Sequence, residues 1–420
     1  MSNQQDINFD MGLPLTDLPQ TNNCIIKVIG VGGGGGNAVN HMYREGIHDV
    51  SYVVCNTDKK ALDDAAVPNH LQLGNDGLGA GNRPEKARQA AEESMDAIKE
   101  MLNDGTRMVF ITAGMGGGTG TGAAPIIAKC AKDAGILTVG IVTIPFKFEG
   151  IKKINQALDG VEEISKHVDA LLVINNERLR EIYPELTVIN AFAKADDTLT
   201  IAAKSIAEII TMHGIMNLDF EDVTTVLRDG GVAIMSTGYG EGENRVTKAL
   251  TEALTSPLLN HNDIFNSKKV LLNINFCADE EHSSLMMEEM NEIHEFMGKF
   301  RHDVETKWGL ATDSTLGSKV KITLLATGFG LQSISGMNSH QEEKKEKLTA
   351  EDKERRETRE ELINIYYQDG NKMIKHRHNN VFIYTAENMD NDDIISHVDA
   401  TPTCRRSKEE LNRLKNEQAG

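Results

Sequence analysis

Short, nearly unbroken apolar runs recur along the first half of the chain, at residues 25–29, 51–55, 108–112, 138–142 and 170–174. Each has the length of a strand and none alternates with polar residues, which is how strands buried on both faces of a parallel sheet read. Segments of helical period separate them. Ala87, Ala90, Ala91, Ser94, Ile98, Met101 and Leu102 fall at steps of three and four behind Pro84, so a helix is predicted from about 84 to 102. Another is predicted from about Thr121 to Ala134, stopped by Gly135. This alternation, to about residue 195, predicts a doubly wound parallel-sheet α/β domain with its site at the carboxyl ends of the strands.

Leu199, Ala202, Ala203, Ile206, Ile209, Ile210 and His213 then follow one helical stripe, which predicts a long core helix over 198–216. Behind a loop at 217–223, strand-like runs at 270–276, 304–311 and 320–327 alternate with helical patterns near 244–255 and 283–300. They predict a smaller α+β domain ending near Gly330. Residues 1–22 are polar and without period, as a flexible arm would be. Residues 341–361 carry nine acidic and seven basic side chains, a composition that builds no core. The expected divisions are therefore an arm at 1–22, a nucleotide domain at 23–197, a core helix and loop at 198–222, an α+β domain at 223–335 and a charged linker and tail at 336–420.

Charge narrows the function. The 420 residues carry 44 Lys and Arg against 63 Asp and Glu, a formal net charge of −19. Such a balance argues against a surface that tracks nucleic acid or anionic lipid. No long apolar run and no basic, apolar start suggest a signal or a spanning segment, so a soluble cytosolic protein is expected. The five cysteines are scattered without a CxxC pair, which indicates neither a disulfide framework nor a zinc site. Two histidines in the basic run 375–378 are read as solvated rather than as metal ligands.

Glycine placement is more informative than glycine number. Sixteen of the 37 glycines fall within 30–36, 74–81 and 114–122. The first loop, GVGGGGGN at 30–37, follows a strand, leads into a helix expected to begin near Asn37, and contains GxGxxG at Gly30, Gly32 and Gly35. Glycine lets a backbone approach a phosphate closely, and a helix N-terminus adds unpaired N–H groups and a partial positive charge. Asp58, at the end of the next strand, suits the ribose-reading acid of a dinucleotide enzyme, so this loop alone leaves both readings open. The loop GMGGGTGTGAAP at 114–125 repeats the device behind a different strand, which a dinucleotide fold does not need. It lacks the Gly-Lys-Ser/Thr of a Walker A loop, so backbone amides, helix dipoles and a bound cation must neutralise the phosphates.

The run GGGTGTG at 116–122 resembles the signature of the tubulin/FtsZ superfamily. With the stretches at 26–38, 56–58, 79–81 and 145–150, the chain is similar to the bacterial FtsZ family from about residue 25 to 330. The resemblance implies a GTPase that polymerises head to tail into the cytokinetic ring of bacterial cell division, with GTP and GDP bound and Mg²⁺ compensating phosphate charge. By that resemblance Gly32, Gly33, Gly34 and Asn37 lie by the α- and β-phosphates, in a loop completed by Gly35 and Gly36 and flanked by Asn56. Gly81 and Asn82 lie near the γ-phosphate, and Gly114, Gly116, Gly117, Gly118, Thr119, Gly120 and Thr121 wrap the phosphates. Glu149 and Lys153 match ribose contacts, with lysine where the family usually has arginine, so a point charge replaces a fork. Asn176 and Asp196 match guanine readers and Phe192 the aromatic stacked on the base, although Phe192 read alone is a core residue. Asn175 stands where many relatives have proline, which implies a looser loop.

The phosphate loops contain no acid to orient water. Asn217-Leu-Asp219-Phe-Glu-Asp222-Val is similar to the family's synergy loop, which enters the next subunit's pocket. The resemblance makes Asp219 and Asp222 the catalytic acids and Asn217 their helper, whereas read alone the two acids are helix caps. The segment 392–406 resembles the family's peptide for membrane-tethering division proteins, with Thr403 and Cys404 where a large apolar residue is usual. It implies a cytoplasmic protein assembling at midcell under the membrane. Two rivals remain at this level: an NAD-dependent oxidoreductase built on 30–35, and a tubulin-like GTP binder with another filament task.

Overall fold

The computed structural model describes residues 24–47, 49–212, 214–255, 264–278, 284–301 and 303–330. All of them belong to the first of two units, Met1–Ile334. The expected arm, charged linker and tail, with the histidines near 375, lie outside the described residues.

In chain order the elements are β1 (Ile26–Val31), α1 (Gly32–Glu45), β2 (Val50–Asn56), α2 (Lys59–Asp63), β3 (His70–Gln72), α3 (Pro84–Glu93), α4 (Met95–Leu102), β4 (Met108–Gly114), α5 (Thr119–Asp133), β5 (Leu137–Ile144), α6 (Ile151–Ser165), β6 (Ala170–Asn175), α7 (Asn176–Ile182) and α8 (Val188–Thr211). Then follow β7 (Gly214–Met216), α9 (Phe220–Leu227), β8 (Gly231–Gly240), α10 (Arg245–Leu254), β9 (Lys269–Phe276), α11 (Glu289–Met297), β10 (Glu305–Thr312) and β11 (Val320–Phe329). The strands form one sheet in the order β3-β2-β1-β4-β5-β6-β8-β11-β9-β10-β7. From β3 to β6 every pairing is parallel, and the order reverses between β1 and β4, the switch point at which doubly wound sheets bind ligands. Two residue pairs, Ala170 with Gly231 and Leu171 with Val232, carry the sheet on into its mostly antiparallel second half.

The apolar runs are buried as expected. Ile26, Val28, Phe110, Val139 and Leu172 share a core with Ala202, Ala203 and Ile206 of α8 and with Val223, Val226 and Leu227 of α9. Burying each large side chain contributes about 1.5–3 kcal/mol, so α8 is a core helix of the kind its stripe predicted.

Several boundaries differ from the sequence reading, each for a local reason. The first glycine loop is itself the first turn of α1, which begins at Gly32 rather than near Asn37. The helix expected over 84–102 breaks at Ser94, whose backbone leaves helical angles and whose hydroxyl accepts the Gly74 N–H at 2.9 Å. The core helix starts at Val188 instead of 198 and ends at Thr211, and residues 214–216 are strand. Its opening turns carry the exposed Val188, Ile189 and Phe192, so no buried stripe announces them. The helix expected from 283 begins at Glu289. Strand β8 had no prediction because glycines interrupt its apolar pattern; at Gly238 and Gly240 α10 comes so close that a Cβ would overlap its backbone.

Candidate functional site

Two helices begin side by side at the switch point. β1 and β4 pair in parallel with Val31 beside Ala113; α1 starts at Gly32 directly beyond β1, and α5 starts at Thr119 after the loop 115–118 that follows β4. Each helix offers the unpaired N–H groups of its first turn, and neither has an acidic residue there. Their N-termini touch: at Gly32, whose φ is +73°, a Cβ would lie 2.8 Å from the Gly120 nitrogen. The remaining glycine stretch, 74–81, reaches them, since a Cβ on Gly118 would lie 2.9 Å from Ala80 and 3.0 Å from the Arg83 nitrogen. All three glycine clusters thus adjoin one another around the two helix N-termini, a cradle with Gly81 and Asn82 exposed beside it.

The glycines divide by what stands in front of them. Gly33 and Gly117 face open space, with nothing within 4 Å of an added Cβ. A Cβ on Gly35 would come within 2.2 Å of the Thr112 carbonyl oxygen, and one on Gly36 within 3.3 Å of Val54. These two, placed among the phosphate contacts by resemblance, are buried against the sheet and serve the close approach of α1 to β4 and β2. Gly34, exposed, packs on Gly114, and Asn37 is exposed one turn further along α1. Asn56 is buried at the end of β2, its side-chain oxygen accepting the Asp58 N–H. Thr57 and Thr119 bring their hydroxyl oxygens within 2.7 Å of each other. Thr121 is buried and accepts the Gly116 N–H at 2.9 Å, a bond that shapes the loop from within.

One flank of the cradle carries the remaining matched positions. Glu149 accepts the Phe146 N–H at 2.9 Å and its other oxygen meets Lys153 Nζ at 3.1 Å. Phe192 is 41% exposed, not a core residue, and stands edge-on to Phe146 at 5.1 Å between ring centres. Asn176 is buried and its Oδ1 has no hydrogen-bond partner among the described residues. Asn175 accepts the Glu177 N–H at 3.0 Å through its side chain and caps α7. Asp196 lies one helical turn from Phe192, and burial pushes its carboxyl up to about 6.

Three supports had no local signal in the sequence. Gln156 donates to the carbonyls of Gly116 and Gly117 at 3.1 and 2.7 Å and pins the glycine loop to α6. Glu177 accepts the Lys147 N–H at 3.0 Å and joins α7 to the loop bearing Phe146 and Glu149. Thr200 Oγ1 lies 2.9 Å from the Asp196 carbonyl oxygen and 3.0 Å from His41 Nδ1, and the second contact ties α1 to α8.

Asn217, Asp219 and Asp222 stand apart from this cradle. Asp219 Oδ1 accepts the Asp222 N–H at 2.9 Å and Asp222 Oδ2 accepts the Asp219 N–H at 3.2 Å, a reciprocal cap on α9, so the capping role is real. Asn217 accepts the Gly214 N–H at 2.6 Å and Leu218 is buried between them. The next residues, Phe220 and Glu221, contact Arg107, which immediately precedes β4. The glycine loop leaves the opposite end of β4 at Gly114, and seven strand residues span roughly 20 Å. One chain therefore holds a cradle and a pair of acids at opposite ends of its central strand.

Among the described residues no group of three or more His, Cys, Asp and Glu could hold a metal ion, and no helix is long and apolar enough to cross a membrane.

Comparison with known proteins supplies the family. Residues 25–184 match the model described as "Tubulin/FtsZ family, GTPase domain", residues 231–330 "FtsZ family, C-terminal domain", and residues 376–420 "FtsZ, C-terminal". The chain is 51% identical to a Cell division protein FtsZ of Porphyromonas gingivalis, over 98% of this chain and 90% of that one. It is 45% identical to a Cell division protein FtsZ of Buchnera aphidicola, over 76% and 83%. Among solved structures, an FtsZ dimer of M. jannaschii superimposes with a TM-score of 0.67 and 37% identity, covering 74% of this chain and 90% of that chain.

Proposed function

This chain belongs to the FtsZ family of the tubulin-like GTPases, and from that premise we propose how its residues bind GTP and hydrolyse it. The protein is a GTPase of bacterial cell division that works as a filament-forming protein. Its phosphate site rests on the first-turn amides of α1 and α5, with Gly33 and Gly117 giving the phosphates room. A cradle of amides and dipoles suits a chain of net charge −19 that must still hold a triphosphate. Gly81 and Asn82 close on the γ-phosphate. Glu149 and Lys153 hold the ribose, Phe192 stacks on the base, and Asn176 with the Asp196 carboxylate reads guanine. Mg²⁺ supplies charge compensation when bound; with no protein cage among the described residues, phosphate oxygens and water would hold it.

The observation that carries the mechanism is the placement of the acids beyond the far end of β4. Asp219 and Asp222 orient and polarise the attacking water of a GTP bound to the next subunit, and Asn217 helps to position it. Phosphoryl transfer depends mainly on positioning and charge stabilisation, so a site completed across a contact makes hydrolysis depend on assembly. A head-to-tail contact of this kind does not close and extends into filaments. The test is turnover per molecule against protein concentration. It should stay low and then rise steeply above a threshold at which light scattering also rises; constant turnover would overturn the shared site. Scattering should respond to GTP and not to GDP, ATP or NAD.

The segment at 385–420 docks on membrane-tethering division proteins and brings the filament to midcell. The match of 376–420 to a C-terminal model of the family supports this. Deleting 385–420 should abolish capture of those partners and leave GTP hydrolysis intact.

A further inference from the structure

Arg107 joins the acid loop to the strand that carries the phosphate loop. Its Nη2 lies 3.2 Å from Glu221 Oε1 and its guanidinium carbon lies 4.8 Å from the centre of the Phe220 ring. Phe220 and Glu221 are the two residues between Asp219 and Asp222, so the cation grips the middle of the proposed catalytic turn. The grip has a rigid base. The Arg107 N–H donates to Ile25 O at 2.9 Å, and its carbonyl accepts the Leu137 N–H at 3.0 Å, which locks this backbone between the entries to β1 and β5. The same strand ends at Gly114, whose backbone packs against Gly34.

We propose that Arg107 is a positioning residue for GTP hydrolysis. Through its salt bridge to Glu221 and its stacking on Phe220 it fixes the Asp219–Asp222 turn at a set distance from the chain's own phosphate cradle, with β4 as the spacer. In a head-to-tail filament each subunit receives the acids of one neighbour and offers its own to the other. The spacing from cradle to acids within a subunit then sets how accurately acids meet phosphate at each contact. Arg107 touches neither nucleotide nor water in this scheme. Lys307 grips the same turn from β10 by its 2.9 Å contact with Asp222, so the turn is held from both halves of the sheet. The local cap between Asp219 and Asp222 shapes the turn and Val223, Val226 and Leu227 seat α9 in the core, which leaves the outer side of the turn to be held by Arg107 and Lys307.

This inference rests on the proposed role of the acids, and its test separates the two. Full-length Arg107→Ala, Arg107→Lys, Arg107→Glu and the double variant Arg107→Glu/Glu221→Arg are compared with wild type and with Asp222→Ala. Arg107 and Glu221 are both exposed, so the variants should fold, which a thermal melt checks. The measurements are GTP affinity, the threshold for assembly with a non-hydrolysable GTP analogue, and kcat and KM above that threshold. Arg107→Ala should lower kcat about threefold to tenfold with KM, affinity and threshold unchanged, the scale expected for losing one exposed ion pair and one cation–π contact. Arg107→Lys should lie between Ala and wild type, Arg107→Glu should fall below Ala, and the charge-swapped double variant should regain most of the loss. Wild-type kcat in Arg107→Ala and Arg107→Glu, or a loss that follows a raised assembly threshold and is not recovered by the swap, would overturn the positioning role while leaving the acids in place. Normal hydrolysis by Asp222→Ala would remove the acids' role and this inference with it.

Discussion

Lys307 Nζ, on β10, lies 2.9 Å from Asp222 Oδ1, in the first turn of α9. The ammonium group bonded to Asp222 holds its carboxyl below the usual carboxylate range, which favours the charged form. Its lowered pKa adds stability that is present above the ordinary carboxylate pKa and is lost only as pH falls through the lowered value. Both side chains are partly exposed, so that contribution is small. Replacing charge without changing shape removes the carboxylate and weakens its Lys307 contact, so Lys307→Met, which loses the contact and keeps the acid, is the control. Asp222→Asn should bind GTP and assemble as wild type does, yet turn over at least about a hundredfold more slowly, the scale of a lost water-activating group. Single-turnover hydrolysis in sedimented filaments measures this; near-normal rates would remove Asp222 from the mechanism.

Asp196 is shifted the other way. Burial disfavours its charged form and raises it to about 6 in the nucleotide-free chain. Guanine presents N–H donors that require the carboxylate, so binding should release a proton near pH 6. GTP affinity should be flat above about pH 7 and weaken by up to tenfold per pH unit below 6. Calorimetry in buffers of different ionisation enthalpy reads the released proton directly. The raised pKa also means that the protonated acid favours folding: this stability is full below the unfolded pKa and disappears as pH rises through about 6. Asp196→Asn should therefore raise the melting temperature of the nucleotide-free protein at pH 8, make no difference at pH 4, and lose the preference for guanine.

The central strands were legible because a parallel strand buried on both faces leaves an apolar run that needs no partner to be recognised. The same holds for the glycine clusters, whose density marks a backbone that must come close to something. What that something is cannot be read from the letter: Gly33 faces open space and Gly35 faces the Thr112 carbonyl, and both are one residue type in one run. Asp219 and Asp222 show a second limit, since the spacing that caps a helix is also the spacing of the pair proposed to polarise water. Contacts between distant segments, such as Arg107 with Glu221 or Gln156 with Gly117, leave no periodic trace. The opening turns of α8 were missed for a different reason: a helix end exposed on every side has no stripe to betray it.

Arg245 gives a stability prediction remote from the nucleotide. Its side chain is 7% exposed and grips Glu289 with two nitrogens at 2.7 and 3.1 Å, while donating to the carbonyls of Ser318 and Ser284. Burial alone would push Glu289 up, yet the guanidinium pulls it below its usual range. Arg245→Ala leaves that carboxylate without its cation and should destabilise the fold by about 3–5 kcal/mol. Arg245→Lys, a point charge in place of a fork, should recover only part. Urea unfolding at pH 7 measures both, and a loss under about 1 kcal/mol for the alanine variant would show that the pair is dispensable.

Paired glycine substitutions in α1 separate packing from binding. An added methyl at Gly35 would stand 2.2 Å from the Thr112 carbonyl oxygen, a distance no Cβ tolerates, so α1 must move off β4. Gly35→Ala should cost about 1–3 kcal/mol or more of stability, as overpacking does, and lose GTP binding only as a consequence. A methyl at Gly33 meets nothing within 4 Å, so Gly33→Ala should melt at the wild-type temperature without nucleotide. If the space before Gly33 belongs to a phosphate, the methyl fills it, and GTP affinity should fall at least tenfold in a protein that is otherwise intact. Thermal melts with and without GTP read both quantities in one experiment: Gly33→Ala should keep the lower curve and lose the shift. A full GTP-induced shift in Gly33→Ala would place the phosphates elsewhere than against the first turn of α1.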